Sequence, residues 1–441
     1  MANTLRSLSG AISKIWQSNP HPLGIFVLLV LVTIPLGYAA GSFSLALLVL
    51  ATVLHYKKLQ FRFNWGFFLP VALWLLMAIS LLWTIDSDAT SLAIVKELPL
   101  LLIPVIFMLA PPFDDRERRQ VLQSFAAAMS LYAVYWLMSA LVRFVLTGNP
   151  NVFFYHELVT LDLNAIHVSV FAAVAFFILQ ERENKPLWVR PAMWLLALLI
   201  LLLSSKNVIV VFGLLLAWRA FSMRLPRKKA LVWIGVTMGV AASVLVAVPQ
   251  VRERFAVEVN SMLRDNTVNT ELSRGNDKVY NVSISQAWNQ ERFEPNHFFP
   301  GAAFRVYQFR IFCEMMGSDG TFLTGFGLNA SYGKIAEKTR EDNLYQGNDG
   351  DFGYNKSNFH NQYVQAFAEL GIFGFAILVA MLVLNLKKAF VSKDFAHISF
   401  AVLMISLFLT ESFLWRQRGV IFFTVLYCLF LSGAAPARNN R

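Results

Sequence analysis

His360 opens a stretch whose residue types could do acid–base chemistry: Asn358, Phe359, His360, Asn361, Gln362 and Tyr363, then Glu369, Gly371 and Gly374. It lies where a long polar segment meets a long apolar one. A neutral imidazole near pH 7 can take the proton from an attacking hydroxyl. Asn361 and Tyr363 are the nearby groups able to position it or a substrate. Cations stand elsewhere in the chain: Arg305 and Arg310 in the polar segment, Lys206 between two apolar runs, and Arg416 and Arg418 beside the last apolar run. A base with several cations suits a diphosphate-linked donor, because cations bind a pyrophosphate and stabilise the charge growing on it as it leaves.

Such residues need a scaffold, and the composition names it. Hydrophobic residues make up 56% of the 441-residue chain and charged residues 15%, with a mean hydropathy of +0.53. That charge content lies below the roughly 25% of soluble domains, so the chain reads as an all-α polytopic membrane protein with helical spans. A lipid-facing barrel would need strict alternation, which is missing. Apolar runs predict about twelve spans, at 22–39, 42–55, 66–83, 94–111, 120–145, 164–180, 188–205, 207–222, 230–249, 367–386, 395–414 and 418–435. The net charge of +11 comes from short basic clusters between the runs, the pattern of membrane orientation and not of nucleic-acid binding. Residues 1–20 lack a cleavable signal core, so the first span is expected to stay as an anchor.

The basic clusters alternate with linkers poor in Lys and Arg. Lys57, Lys58 and Arg62, then Arg116, Arg118 and Arg119, then Arg182, Lys185 and Arg190, then the 219–229 cluster, then Lys387, Lys388 and Lys393 fall on one side. That side is expected to be cytoplasmic, with both termini, and the polar segment faces the other. Three regions follow: 1–249 with about nine spans, the outer loop 250–359 of mostly short helices, and 360–441 with an amphipathic turn and about three spans. A single helix over 188–222 would be about 50 Å long and would strand one basic cluster outside. Two helices broken near Ser205 avoid this and put Lys206 at the outer face, where a charge needs a partner or a task.

Other features carry less. His156 and His297 read as structural, and His55 and His397 fall on the cytoplasmic side. Asn348, Asp349, Gly350 and Asp351 lack the full ligand series of a calcium loop. Cys313 and Cys428 have no metal spacing. There is no phosphate-binding Gly-rich loop and no dinucleotide turn, so neither cofactor nor metal is expected. A transporter is disfavoured because Asp and Glu are nearly absent from the spans.

The spacing from His360 and Asn361 to Gly371 and Gly374, together with the many spans and the large loop before the tenth, resembles the bacterial O-antigen ligase family. That superfamily of GT-C-like membrane glycosyltransferases also holds O-antigen polymerases and protein O-oligosaccharyltransferases. The resemblance implies metal-independent, inverting transfer of a glycan from an undecaprenyl-diphosphate donor, on the periplasmic face of the bacterial inner membrane. In a ligase the acceptor is a lipid A-core hydroxyl; in the others it is another glycan or a protein hydroxyl. It implies His360 as general base, Arg305 as the loop arginine on the pyrophosphate, and Lys206 where the family has a second arginine. Lysine keeps the charge and loses the bidentate fork, which makes Arg310, Arg416 and Arg418 alternative ligands.

Overall fold

A computed structural model describes residues 21–432 except 56, 58, 161–162, 223–234, 236–248, 271, 274–276 and 349–352. Residues 1–20, nearly all of the expected span 230–249 and most of the 348–351 turn lie outside the described residues.

The described chain is mostly helical. Its first half runs α1 (Gly24–Thr33), α2 (Tyr38–Leu54), α3 (Trp65–Ile79), α4 (Ser87–Lys96), α5 (Pro99–Leu109), α6 (Asp115–Thr147), the single turn α7 (Tyr155–Val159), α8 (Ala165–Gln180), α9 (Val189–Leu202) and α10 (Lys206–Ser222). The outer segment follows with α11 (Pro249–Leu263), α12 (Ile284–Asn289), α13 (Gly301–Asp319) and α14 (Ser331–Glu341). The last part is α15 (Gln362–Ser392), α16 (Phe395–Phe408) and α17 (Gln417–Leu431). Four helical stretches are long and apolar enough to cross a membrane: Trp65–Leu82, Ser87–Leu109, Asp115–Thr147 and Gln362–Ser392. Six further apolar helices are shorter, at 10–17 residues. The chain is membrane-embedded by this measure.

Several expected boundaries move for local reasons. The run 94–111 is divided at Glu97 and Leu98, where Pro99 starts α5 at a position that needs no N–H partner. The 188–222 stretch breaks at Leu203 to Ser205, where Ser204 takes φ +53°. The run 395–414 stops being helical at Phe408, leaving 409–412 as a connector before a 3₁₀ turn at Phe413–Trp415. Three two-residue strands, too short to show a period, escape the sequence: β1 (Thr267–Val268) pairs antiparallel with β2 (Tyr280–Asn281), which pairs parallel with β3 (His297–Phe298).

The buried side chains form two clusters. One fills the space among the apolar helices. The other belongs to the outer segment, with Phe293, Phe299, Tyr307, Ile311 and Phe326, and continues through Phe359 to Val364 and Ala368 of α15. The polar segment is therefore a packed body seated on the first two turns of α15.

The glycines of α15 make that seat. Gly371 has φ +62° and ψ −161° and breaks the helix, a conformation close to glycine-only. The break frees carbonyls, and the outer segment supplies their donors: Phe326 N–H donates to Ala368 O at 2.8 Å and Gly327 N–H to Glu369 O at 2.9 Å, while Ile372 N–H donates to Phe322 O at 3.0 Å. A Cβ on Gly371 would lie 2.1 Å from Leu323 O, and one on Gly374 would lie 2.3 Å from Leu370 Cβ. Gly371 permits the break and the approach of a loop backbone, while Gly374 leaves room for Leu370 and the Ala366 carbonyl of the preceding turn. The same turn reaches α4 and the linker before it: Ile85 N–H donates to Phe326 O at 3.0 Å and Thr90 Oγ1 to Leu328 O at 2.6 Å.

Gly371→Ala is expected to destabilise the detergent-solubilised protein severely. The backbone term alone is of order 1–3 kcal/mol, and the clash adds to it. Gly213→Ala in α10, where a Cβ meets nothing within 4 Å, is the control. Equal melting temperatures for the two variants would refute the account.

Candidate active site

Four separate elements bring polar groups to one end of the helices. His360 is the residue before the cap of α15. It has φ +46°, a left-handed conformation uncommon outside glycine, and its N–H donates to Asn358 Oδ1 at 2.9 Å. Asn361 caps the helix, its Oδ1 accepting from Tyr363 N–H at 3.0 Å and Val364 N–H at 3.1 Å, an arrangement worth about 0.5–2 kcal/mol over alanine. Tyr363 points the other way, its hydroxyl donating to Ile405 O of α16 at 3.0 Å. Both residues fix the frame that carries His360. Gln362 and Gln365, one helical turn apart, hold the facing connector: Gln362 Oε1 accepts from Leu414 N–H at 2.8 Å, and Gln365 Oε1 from Phe359 N–H at 3.3 Å and Ser412 Oγ at 3.4 Å.

That connector is where the groups meet. Glu411 Oε2 lies 3.7 Å from His360 Nδ1, with the carboxylate side chain 5% exposed and the imidazole 33%. The separation is longer than a formed hydrogen bond. Burial alone would raise the Glu411 carboxyl. Its interaction with His360, then the charges of His167 and Arg305, outweigh burial and hold it below the ordinary value of 4.5. Arg305, in the second turn of α13, donates from Nε to Thr410 O at 2.9 Å and from Nη1 to Gly301 O at 2.9 Å. Its Nη2 has no protein acceptor among the described residues. Asn207 donates from Nδ2 to Thr410 Oγ1 at 2.6 Å and to Ser406 O at 2.8 Å. Next to it Lys206 Nζ sits 2.8 Å from Glu258 Oε2, and the other oxygen of Glu258 accepts from Ala302 N–H at 2.6 Å. A Cβ on Gly301 would be 3.1 Å from Arg305 Nη1 and 3.5 Å from both Glu258 oxygens. Lys206, Glu258 and Arg305 are therefore neighbours around Gly301.

The other arginines stand apart. Arg310 is buried inside the outer body, bound to Asp342 Oδ2 at 2.6 Å and Glu314 at 3.2 Å, with Tyr307 under its guanidinium. It is not brought to His360. Arg418 is buried, donates to Leu36 O at 3.1 Å and lies over the Tyr38 ring. Arg416 is exposed and borders a small cleft with Arg418, Asn164 and His167. His167, one turn into α8, is the residue a linear reading overlooks. Its ring lies 4.4 Å from Phe413, and it feels the charges of Glu411, Arg416 and Arg418. The signal available was an asparagine cap, Asn164, with a histidine three residues into an apolar run. His156 and His297 lie elsewhere, with Leu163 O and with the Glu294 N–H respectively.

Residues 191–379 match the O-antigen ligase family. Over this stretch, under half of its length, the chain is similar to the O-antigen ligase family. No curated protein matches the chain significantly. The ligase-family match spans α9 to the middle of α15 and includes Lys206, Arg305, His360, Gly371 and Gly374. It supports a membrane-embedded, glycosyltransferase-like protein of lipopolysaccharide biosynthesis, with lipid-linked glycan and acceptor as the class of substrate. Glu411, Arg416 and Arg418 lie beyond the matched range and are known here from geometry alone.

Proposed function

We propose that the chain is an O-antigen ligase that moves a glycan from an undecaprenyl-diphosphate donor to a lipid A-core hydroxyl at the periplasmic membrane face. One observation carries the reading: the Thr410–Glu411 connector touches His360 through its carboxylate, Arg305 through its carbonyl and the Lys206 helix through Asn207. Base and cations are thus held by a common support. His360 Nδ1 faces Glu411, which leaves Nε2 for the acceptor. The acceptor O–H gives its proton to Nε2, its oxygen forms the new bond to the anomeric carbon, and the bond from that carbon to the diphosphate oxygen breaks. A single displacement inverts the anomeric centre. The departing diphosphate takes the electron pair, and Arg305 Nη2 with Lys206 Nζ bind the charge. Glu411 stays ionised and stabilises the imidazolium. Arg310 is left out of the donor set because its fork is already filled by carboxylates. Arg416 and Arg418 are assigned to the His167 side, flanking the donor path.

The function is tested by reconstituting the purified protein with undecaprenyl-diphosphate glycan and either lipid A-core or a second lipid-linked glycan. Sugar on lipid A-core is expected. Sugar only on the second lipid-linked glycan would make the protein a polymerase.

Glu411→Gln is expected to lower turnover about ten- to a hundred-fold at neutral pH, as an imidazolium loses its counter-charge. It should also change acid stability. A carboxylate held below its unfolded value stabilises the folded state above that value, and the benefit disappears as pH falls through the folded value. The wild type should therefore lose thermal stability below pH 4.5 more steeply than the variant. Parallel melting curves would remove Glu411 from the ionised role.

A further inference from the structure

A cavity edged by arginines lies at the opposite end of the helices. α8 begins near His167 and ends at Gln180, about 20 Å away at 1.5 Å per residue. α6 runs antiparallel to it: Arg143, near its C-terminus, donates to Glu157 O and Leu158 O of α7, and its N-terminus meets the segment that follows α8. There a cleft of about 650 Å³ opens, lined by Arg116, Arg119, Gln120, Ser124, Arg182 and Trp188 among others. Arg119 is paired at 2.9 Å with the exposed Glu183. Among the described residues Arg116 and Arg182 have no carboxylate partner, and Arg182 lies over the Trp188 ring. Asp115 is the only acidic residue in the wall. The neighbouring Arg118 is not part of the cleft, being turned to Asp115 and Asp394.

The cleft continues into an exposed apolar stripe of α6. The cleft residues Arg116, Gln120 and Ala127 recur at helical spacing with Leu131, Val134 and Met138 further along the same stripe of α6, and these last three are 72%, 47% and 54% exposed. A ligand seated there has an anionic head among guanidinium and amide donors and an apolar tail along α6. Arginine forks suit phosphate oxygens, and a tryptophan at the polar edge suits the headgroup level.

We propose that this cleft binds the phosphodiester headgroup of an anionic glycerophospholipid of the surrounding bilayer, on the face away from His360. The site is separate from the proposed donor path and does not depend on which acceptor the protein uses.

The test is native mass spectrometry of the full-length protein with phosphatidylglycerol or phosphatidylcholine of matched chains. Wild type should retain phosphatidylglycerol preferentially. Arg116→Gln and Arg182→Gln, at positions without ion-pair partners, should each weaken that retention about five-fold, near the value of one basic residue at a membrane surface. Arg143→Gln, at the other end of α6, should leave it unchanged. Equal retention of the two lipids by wild type, or unchanged preference in both cleft variants, would overturn the proposal. So would glycerol 1-phosphate displacing the lipid at equal concentration, since the cleft would then hold a free phosphate ester without using the tail stripe.

Discussion

His360→Gln is expected to insert, to bind donor as the wild type does, and to transfer glycan about a hundred- to ten-thousand-fold more slowly. An alcohol is a poor nucleophile while it keeps its proton, and in the proposed mechanism the imidazole facing Glu411 removes it. Glutamine can keep a hydrogen bond to the connector but cannot accept the proton. Helix capping does not confuse the result, because Asn361 supplies the cap of α15 through its own side chain. The measurement is single-turnover transfer by purified protein, with donor binding measured separately. Transfer at near wild-type rate would demote His360 to a structural residue.

Arg305→Ala is expected to reduce transfer about a hundred- to a thousand-fold, the usual effect of removing a donor aimed at developing charge. Arg305→Lys should recover part of the loss, since a point charge returns without the fork. Arg305 has a second task, holding Thr410 O and with it the Glu411 connector. The two tasks separate in the kinetics. Loss of diphosphate binding raises the donor KM, whereas displacement of Glu411 lowers kcat and alters the pH profile. Lys206 provides the comparison: Lys206→Arg should remain active and Lys206→Ala should fail at limiting donor. If Arg305→Ala and Lys206→Ala both transferred normally at limiting donor, the diphosphate would have to bind on the His167 side, with Arg416 and Arg418.

Parts of this arrangement are legible in the sequence. His360 stands out because a polar segment ends there and an apolar one begins, and Lys206 because a charge interrupts an apolar stretch too long for one helix. The break at Ser204 follows from that length. Glu411 is visible only as a neighbour of Arg416 and Arg418 at the last outer turn, and His167 is harder to find, since each is one polar residue at the end of an apolar run, far from His360 along the chain. Only the folding together of α8, α15 and α16 makes them neighbours. Arg310 shows the opposite error. Five residues after Arg305, it looks equivalent, but at about 100° per residue the two point to different faces of α13, and Arg310 is taken up by Asp342 and Glu314. The Gly371 break is invisible to hydropathy, because apolar residues continue through it.

That break has a consequence for how the protein is made. The turn at 325–327 is held by Ile85 on one side and by Ala368 and Glu369 on the other, and a Cβ on Gly327 would lie 2.2 Å from Thr84 Oγ1. These partners are synthesised hundreds of residues apart, and Glu411 later still. Early helices must wait in the membrane with Thr90 and Ser80 lacking the backbone partners they have in the finished protein, Leu328 O and Leu328 N–H. Contacts of such long range form slowly, so the reactive centre can be completed only near the end of synthesis. A chain that stops before α16 is expected to be catalytically silent, whatever it has already inserted.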